Sequence, residues 1–185
     1  MRPVARLCLA GILVLLPAVS IADVVPLVAD TTVDAAATRA LGSDPALGVS
    51  ARRTTYVRFD LSRIAAGAAV HHATLLVFVG RVLASGTVSV HRVLGPWDED
   101  TLTAAAAPAV EAALPETLTL SDGTPSLDYL PLDVTPAVQA WLAGAPDHGL
   151  ALTGDATVDA EFASKESQAI AHPMKLEVVL DDPRD

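Results

Sequence analysis

Apolar and polar residues alternate along much of the chain after its first two dozen positions. Within Thr54–Leu61, for example, Val57 and Phe59 alternate with Arg58 and Asp60. A period of two places successive side chains on opposite faces of a β-strand. The pattern therefore predicts a strand with its apolar face against a core and with an arginine and a carboxylate on the other face.

Seven further segments show this short-range alternation, and residues typical of turns separate them. Together with the first, the predicted strands are Val25–Val33, Thr54–Leu61, Ala73–Val79, Thr87–Leu94, Tyr129–Val134, Gly149–Leu152, Asp159–Ala163 and Met174–Leu180. One-sided alternation is typical of antiparallel sheets that pack one face on a core. The sequence predicts an all-β protein, an antiparallel two-sheet β-sandwich of the jelly-roll type with one short helix.

The helix is predicted in the segment DVTPAVQAWLAG. Thr135 is expected to cap it, Pro136 suits the first helical position, and Gly144 suits the position just beyond the end. Val138 and Trp141 fall on one face. We expect this helix to close one end of the sandwich, with Trp141 in the core.

The N-terminus has the pattern of a secretory signal peptide. Arg2 and Arg6 form a positive segment before the apolar run Leu7–Val19, and the small residues Ser20 and Ala22 follow the run. The run is shorter than the ~20 residues that a membrane-spanning helix needs. We predict cleavage after Ala22 and secretion to the periplasm or the extracellular space; a retained N-terminal anchor is the alternative.

The remainder, residues 23–185, is predicted to form one domain. The chain carries a formal charge of −10, and loss of the two signal-peptide arginines makes it −12. Such a charge disfavours nucleic acids and anionic membranes as partners, because their phosphates would be repelled. Cys8 is the only cysteine and leaves with the signal peptide, so stability must come from apolar burial or bound ions.

Catalytic and transition-metal motifs are missing from the sequence. There is no G-x-S-x-G, no phosphate-binding glycine loop and no H-E-x-x-H. The sequence thus predicts a non-enzyme without a cofactor. Calcium is the alternative, since carboxylate oxygens suit this cation, and Asp30, Asp34 and Asp44 are its candidate ligands.

Four blocks of the chain resemble DNRLRE-domain proteins, a group similar to carbohydrate-binding module family 96. The blocks are RRTTYVRFDLSRIAAGAAVHHATLLVFV, GTVSVHRVLGPWDEDTLT, LDVTPAVQAWLAGAPDHGLALTG and FASKESQAIAHPMKLEVVL. The resemblance implies a β-sandwich that serves as an accessory module in extracellular proteins. It implies a secreted, non-catalytic module that binds polysaccharide or another extracellular surface component; the alternative is a structural or adhesive envelope domain without a small ligand.

The resemblance suggests a basic loop as a binding region, and the aromatic residues suggest a stacking position. Alginate-binding relatives use a basic cluster in the loop after the first strand, and this sequence has Arg39, Arg52 and Arg53 in that region. We predict polar contacts from these arginines and stacking from Tyr129. The alternative reading is a solvated arginine pair and an aromatic residue that covers a sheet edge.

Finally, the R-F-D block occurs in the family together with a C-terminal S-x-E block, here Ser164-Lys165-Glu166. This pairing implies that the two segments meet and that Arg58 forms a structural ion pair with Glu166 or Asp60. The planar guanidinium suits the role because it can bond two carboxylate oxygens at once.

Overall fold

The computed structural model describes residues 22–168 and 172–181. In these ranges the chain forms antiparallel strands and one α-helix. The elements are β1 (Ala22–Val25), β2 (Leu27–Asp34), β3 (Ala46–Ser50), β4 (Arg53–Phe59), β5 (Val70–Ala84), β6 (Gly86–Arg92), β7 (Thr117–Leu120), β8 (Asp128–Asp133), α1 (Thr135–Leu142), β9 (Leu150–Gly154), β10 (Asp159–Ala163) and β11 (Lys175–Leu180). The predicted signal peptide, apart from Ala22, lies outside the described residues.

The strands form one hydrogen-bonded sheet in the order β1-β11-β5-β10-β3-β4-β9-β6-β7, with β2 added to β4 and β8 added to β5. The sheet curls like a half-barrel around its core, and every pairing between strands is antiparallel. The all-β prediction with one helix is confirmed. A division into two separate sheets is not confirmed, because β3 and β4 remain joined through the pair Ser50–Arg53.

Each of the eight predicted strands corresponds to an observed one, and β1, β3 and β7 were not predicted. The predicted strand Val25–Val33 is in fact two strands, since β1 ends at Val25 and β2 begins at Leu27. Pro26 lies between them, and proline has no N–H to donate to a ladder. The other two missed strands are only four or five residues long.

The main core lies inside the curl of the sheet. Val57 and Phe59 of β4 are buried there as predicted, together with Phe162, Leu75 and residues of α1. Side chains at alternate positions of each strand meet in this cluster, which explains why the alternation in the sequence locates the strands. The core is therefore the feature that the apolar pattern specifies most directly.

The opposite face of β4 is also covered, contrary to the expectation of a strand with one buried face. Tyr56 is 4% exposed and belongs to a second buried cluster with Val33, Trp97 and Leu102. The rings of Tyr56 and Trp97 meet edge to face, with centroids 5.7 Å apart. The segment that follows β6 supplies Trp97 and Leu102, so a connection rather than a strand closes this second cluster.

Helix α1 confirms most of the predicted signals. Trp141 is buried, and Gly144 has φ +104°, the left-handed conformation expected just beyond a helix end. Thr135 does not cap the helix, however. Its hydroxyl accepts a hydrogen bond from the Ala73 N–H of β5, and its own N–H donates to the Asp133 carboxylate. Thr135 therefore connects the start of the helix to strands β5 and β8 instead of capping the helix.

Candidate functional site

The three predicted basic residues have different environments. Arg39 is exposed and pairs with Asp44 of its own loop at 3.3 Å. Arg52 is exposed in the turn between β3 and β4. Arg53 lies over the backbone of Gly48 and pairs with the Asp159 carboxylate. Two of the three arginines are therefore already neutralised by carboxylates of this chain.

Tyr129 belongs to a cluster of rings on the outer face of the sheet. Its ring packs edge to face on Phe78 at 5.0 Å, and its hydroxyl donates to the Pro173 carbonyl at 3.0 Å. The Lys175 ammonium lies 4.5 Å from the ring centroid. His172 stacks on Phe78 at 4.6 Å and is itself exposed. The structure thus holds Tyr129 rigidly in a mixed aromatic and cationic cluster.

Arg53 and Tyr129 lie on the same outer face of the sheet. On β5, Val77 and Val79 are buried in the core, so Phe78 between them points outward with its partner Tyr129. On β3, Leu47 and Val49 are in the core, so Gly48 faces outward, and the Arg53 guanidinium covers it. Strands β8, β5, β10 and β3 connect these two positions. We call this surface the outer face.

Sequence reasoning missed an ion pair in the middle of the outer face. The Arg81 guanidinium donates from Nε and Nη2 to the two carboxylate oxygens of Glu161, each at 2.9 Å. This bidentate contact holds the pKa of Glu161 below its usual value. The D-A-E-F-A alternation of β10 could have placed Glu161 outward, but nothing in the sequence shows that Arg81 is its cross-strand neighbour.

The predicted pairing of Arg58 with Asp60 or Glu166 is wrong in its partners. Arg58 donates to the Trp97 carbonyl at 3.2 Å, and its guanidinium lies 5.4 Å from the centre of the Trp97 ring. The Asp60 carboxylate caps the turn at Ser62, and Glu166 pairs with Lys165. Trp97, from the connection after β6, covers Arg58, and the acidic group that interacts with the Arg58 charge is the partly buried Asp147 carboxylate.

The C-terminal S-x-E block instead meets β2, the strand next to β4. The Asp30 carboxylate is fully buried and accepts hydrogen bonds from the Ser164 hydroxyl at 3.0 Å and the Lys165 N–H at 2.7 Å. The Lys165 ammonium bonds Glu99 at 2.9 Å, and the other Glu99 oxygen accepts from the Asp30 N–H. Burial raises the pKa of Asp30, and the hydrogen bonds from Ser164 and Lys165 only partly offset the effect.

The two residues of the predicted pair should contribute unequally to the free energy of unfolding. We expect Arg58→Ala to cost about 1–2 kcal/mol, because a hydrogen bond and packing on Trp97 are lost. Glu166→Ala should cost less than about 1 kcal/mol, since the Glu166 side chain is 43% exposed. Denaturant unfolding of both single variants and the double variant checks this. If the loss in the double variant differs from the sum of the two single losses by more than ~0.5 kcal/mol, a direct contact between Arg58 and Glu166 would be supported after all.

The three candidate calcium ligands are not brought together. Asp30 is in the buried network, Asp34 accepts from the Ala36 N–H, and Asp44 pairs with Arg39. Across the ranges that the structure describes, no group of three or more His, Cys, Asp or Glu side chains is arranged to hold a metal ion. In the same ranges, no helix is long and apolar enough to cross a membrane.

Comparison with known proteins agrees with this β-rich architecture. No curated protein matches the chain. The family model of carbohydrate-binding module family 96 matches residues 22–179, which is most of the chain and includes every strand from β1 to β10. The resemblance to this family is therefore confirmed, and the chain belongs to carbohydrate-binding module family 96.

Proposed function

We propose that this protein is a secreted, non-catalytic module that binds polysaccharide. The observation that carries the proposal is the family match over residues 22–179. A rigid sheet whose outer face presents aromatic rings and fixed polar groups is suited to carbohydrate binding. The sandwich expected from the sequence would supply such a face as one of its two layers.

The electrostatics of the outer face support binding rather than catalysis. A general acid in glycoside hydrolysis needs a carboxyl with a raised pKa opposite a second carboxylate. Arg81 lowers the pKa of Glu161 instead, and Asp159 is paired with Arg53. The Glu161 carboxylate is therefore suited to accept hydrogen bonds from hydroxyl groups rather than to donate a proton.

Secretion is supported by the N-terminal sequence pattern. We predict that the protein recovered from the culture medium or periplasm of a secreting host begins at Asp23. Intact-mass measurement checks this, because loss of residues 1–22 changes the mass by a defined amount. A recovered protein that retains Arg2 and Arg6 would contradict both the cleavage and the proposed location.

Binding itself is tested with a panel of insoluble and arrayed polysaccharides, with and without a chelator. We expect retention on at least one polysaccharide.

If Arg39, Arg52 and Arg53 form the contacts, their triple change to alanine should weaken retention by about tenfold or more while the protein stays folded. Loss of binding on chelation would support the calcium alternative. Retention on none would favour the structural or adhesive domain.

A further inference from the structure

Four charged groups of the outer face form two matched pairs. Arg81 pairs with Glu161, and Arg53 pairs with Asp159, so the four groups sum to zero. The Arg81 side chain is 61% exposed and the Asp159 side chain 41%, so both pairs can be reached from solvent. A ligand that contacts these two pairs meets hydrogen-bond donors and acceptors side by side, without an excess of positive charge from the four groups.

These pairs hold their side chains in fixed positions before any ligand binds. The bidentate contact fixes the plane of the Arg81 guanidinium, and the Arg53 guanidinium occupies the space that a Gly48 side chain would fill. A Cβ on Gly48 would lie 2.5 Å from Arg53 Nη1. Preorganised polar groups bind with less loss of side-chain entropy than flexible ones.

A groove runs beside the central pair. It is lined by Arg81 and Glu161 together with Gly80, Ala46 and Pro45. Gly80 has no side chain to fill the groove, and a Cβ there would lie 3.2 Å from the Glu161 carbonyl oxygen. Small and apolar residues next to a charged pair are the surroundings that suit the C–H face and the hydroxyl groups of a sugar ring.

Aromatic rings continue the same surface toward β11. The exposed imidazole of His172 lies on Phe78 with an interplanar angle of 25°, which leaves its other face turned away from Phe78. Tyr129 and Lys175 hold the cluster from the side. The outer face therefore combines a stacking position with the groove and the ion pairs on neighbouring strands.

From this arrangement we propose that the ligand is an uncharged polysaccharide chain, which lies across the outer face with its hydroxyl groups on the Arg81–Glu161 pair. This inference rests on the proposed function and narrows it. Vicinal hydroxyls donate and accept, so they match a guanidinium beside a carboxylate. A polyuronate would need available cations, whereas Arg81 and Arg53 are paired with carboxylates and the Lys175 ammonium lies on the Tyr129 ring. The net charge of −10 would also repel it.

Affinity electrophoresis tests the proposal with the purified protein. The gels contain either a neutral chain (a mixed-linkage β-glucan, a galactomannan or a xyloglucan) or a polyuronate (alginate or polygalacturonate). We expect retardation by a neutral chain. Arg81→Ala and Glu161→Gln should each weaken the association by about tenfold or more. Glu161→Gln keeps the shape of the side chain, so it tests the contact if Arg81→Ala disturbs folding.

The matched control is Arg92→Ala. Arg92 forms the same kind of bidentate pair with Glu111, at 2.8 and 2.6 Å, on β6 and away from the outer face. This variant should be retarded like the wild type. Equal weakening by Arg92→Ala, or no effect of Arg81→Ala and Glu161→Gln, would overturn the assigned surface. Retardation by polyuronates alone would overturn the ligand class but not the proposed function, whereas failure of the wild type to bind any polysaccharide would overturn both.

Discussion

Gly149→Ala is expected to destabilise the protein by about 3–5 kcal/mol. Gly149 has φ +83°, and a Cβ at this position would lie 2.2 Å from the Val57 carbonyl oxygen and 3.1 Å from the Arg58 Cα. Both atoms belong to the backbone of β4, so no side-chain rotation relieves the clash. The chain enters β9 here, where the Asp147 carboxylate accepts from the Gly149 N–H and the Gly149 carbonyl accepts from Val93.

Gly144→Ala is the matched control for this effect. Gly144 also has a positive φ, +104°, but a Cβ there would meet no atom within 4 Å. It should therefore cost only the left-handed strain, about 1–2 kcal/mol. Urea unfolding of the two variants separates conformational strain from steric contact. Equal losses would show that β4 yields to the added methyl group, contrary to our expectation.

Asp30→Ala is expected to cost about 3 kcal/mol or more. The change removes the acceptor for the Ser164 hydroxyl and the Lys165 N–H, and each buried donor left without a partner costs ~1–3 kcal/mol. Asp34→Ala on the same strand is the control. Its carboxylate bonds the exposed Ala36 N–H, so we expect a loss of less than about 1 kcal/mol. Similar stability of the two variants would mean that the Asp30 network does not hold the C-terminal block.

The pH dependence of this effect has a definite sign. Burial raises the pKa of Asp30 above 3.8, so the folded protein keeps this proton at pH values where the unfolded chain has lost it. The contribution of Asp30 to the free energy of unfolding is then greatest below pH ~3.8 and falls as pH rises through the folded pKa. The stability difference between wild type and Asp30→Ala, measured from acid to neutral pH, should decline in that direction. An increase with pH would contradict the raised pKa.

The candidate site shows where sequence reasoning succeeds and where it ends. The family resemblance predicts Arg53 and the stacking ability of an aromatic ring predicts Tyr129, and both lie on the outer face. Neither Arg81 nor Glu161 was chosen, because they are 80 residues apart and become neighbours only when β10 pairs with β5. The register of that pairing contains two irregularities, so counting along the strands would not have matched them.

Strand β4 also shows which features the sequence predicts and which it does not. Alternation placed Val57 and Phe59 in the core correctly, because a strand has a period of two whatever its partners are. It gave no information about what covers Arg58, which contacts Trp97 and interacts with the partly buried Asp147 carboxylate rather than with Asp60 or Glu166. The contact with Trp97 depends on the path of a long connection, which carries no periodic signal.

The sequence by itself determined the all-β class, eight of the strands, the helix and the inward-facing residues, since these follow from local periodicity and from proline and glycine geometry. Tertiary structure alone decided the order of the strands, the burial of Asp30 beneath the Ser164 block and the charge balance of the outer face. Each of these depends on contacts between residues far apart in the chain. The entropy lost in closing the loops between these residues, and the free energy gained by burying them, depend on the whole fold rather than on any one segment.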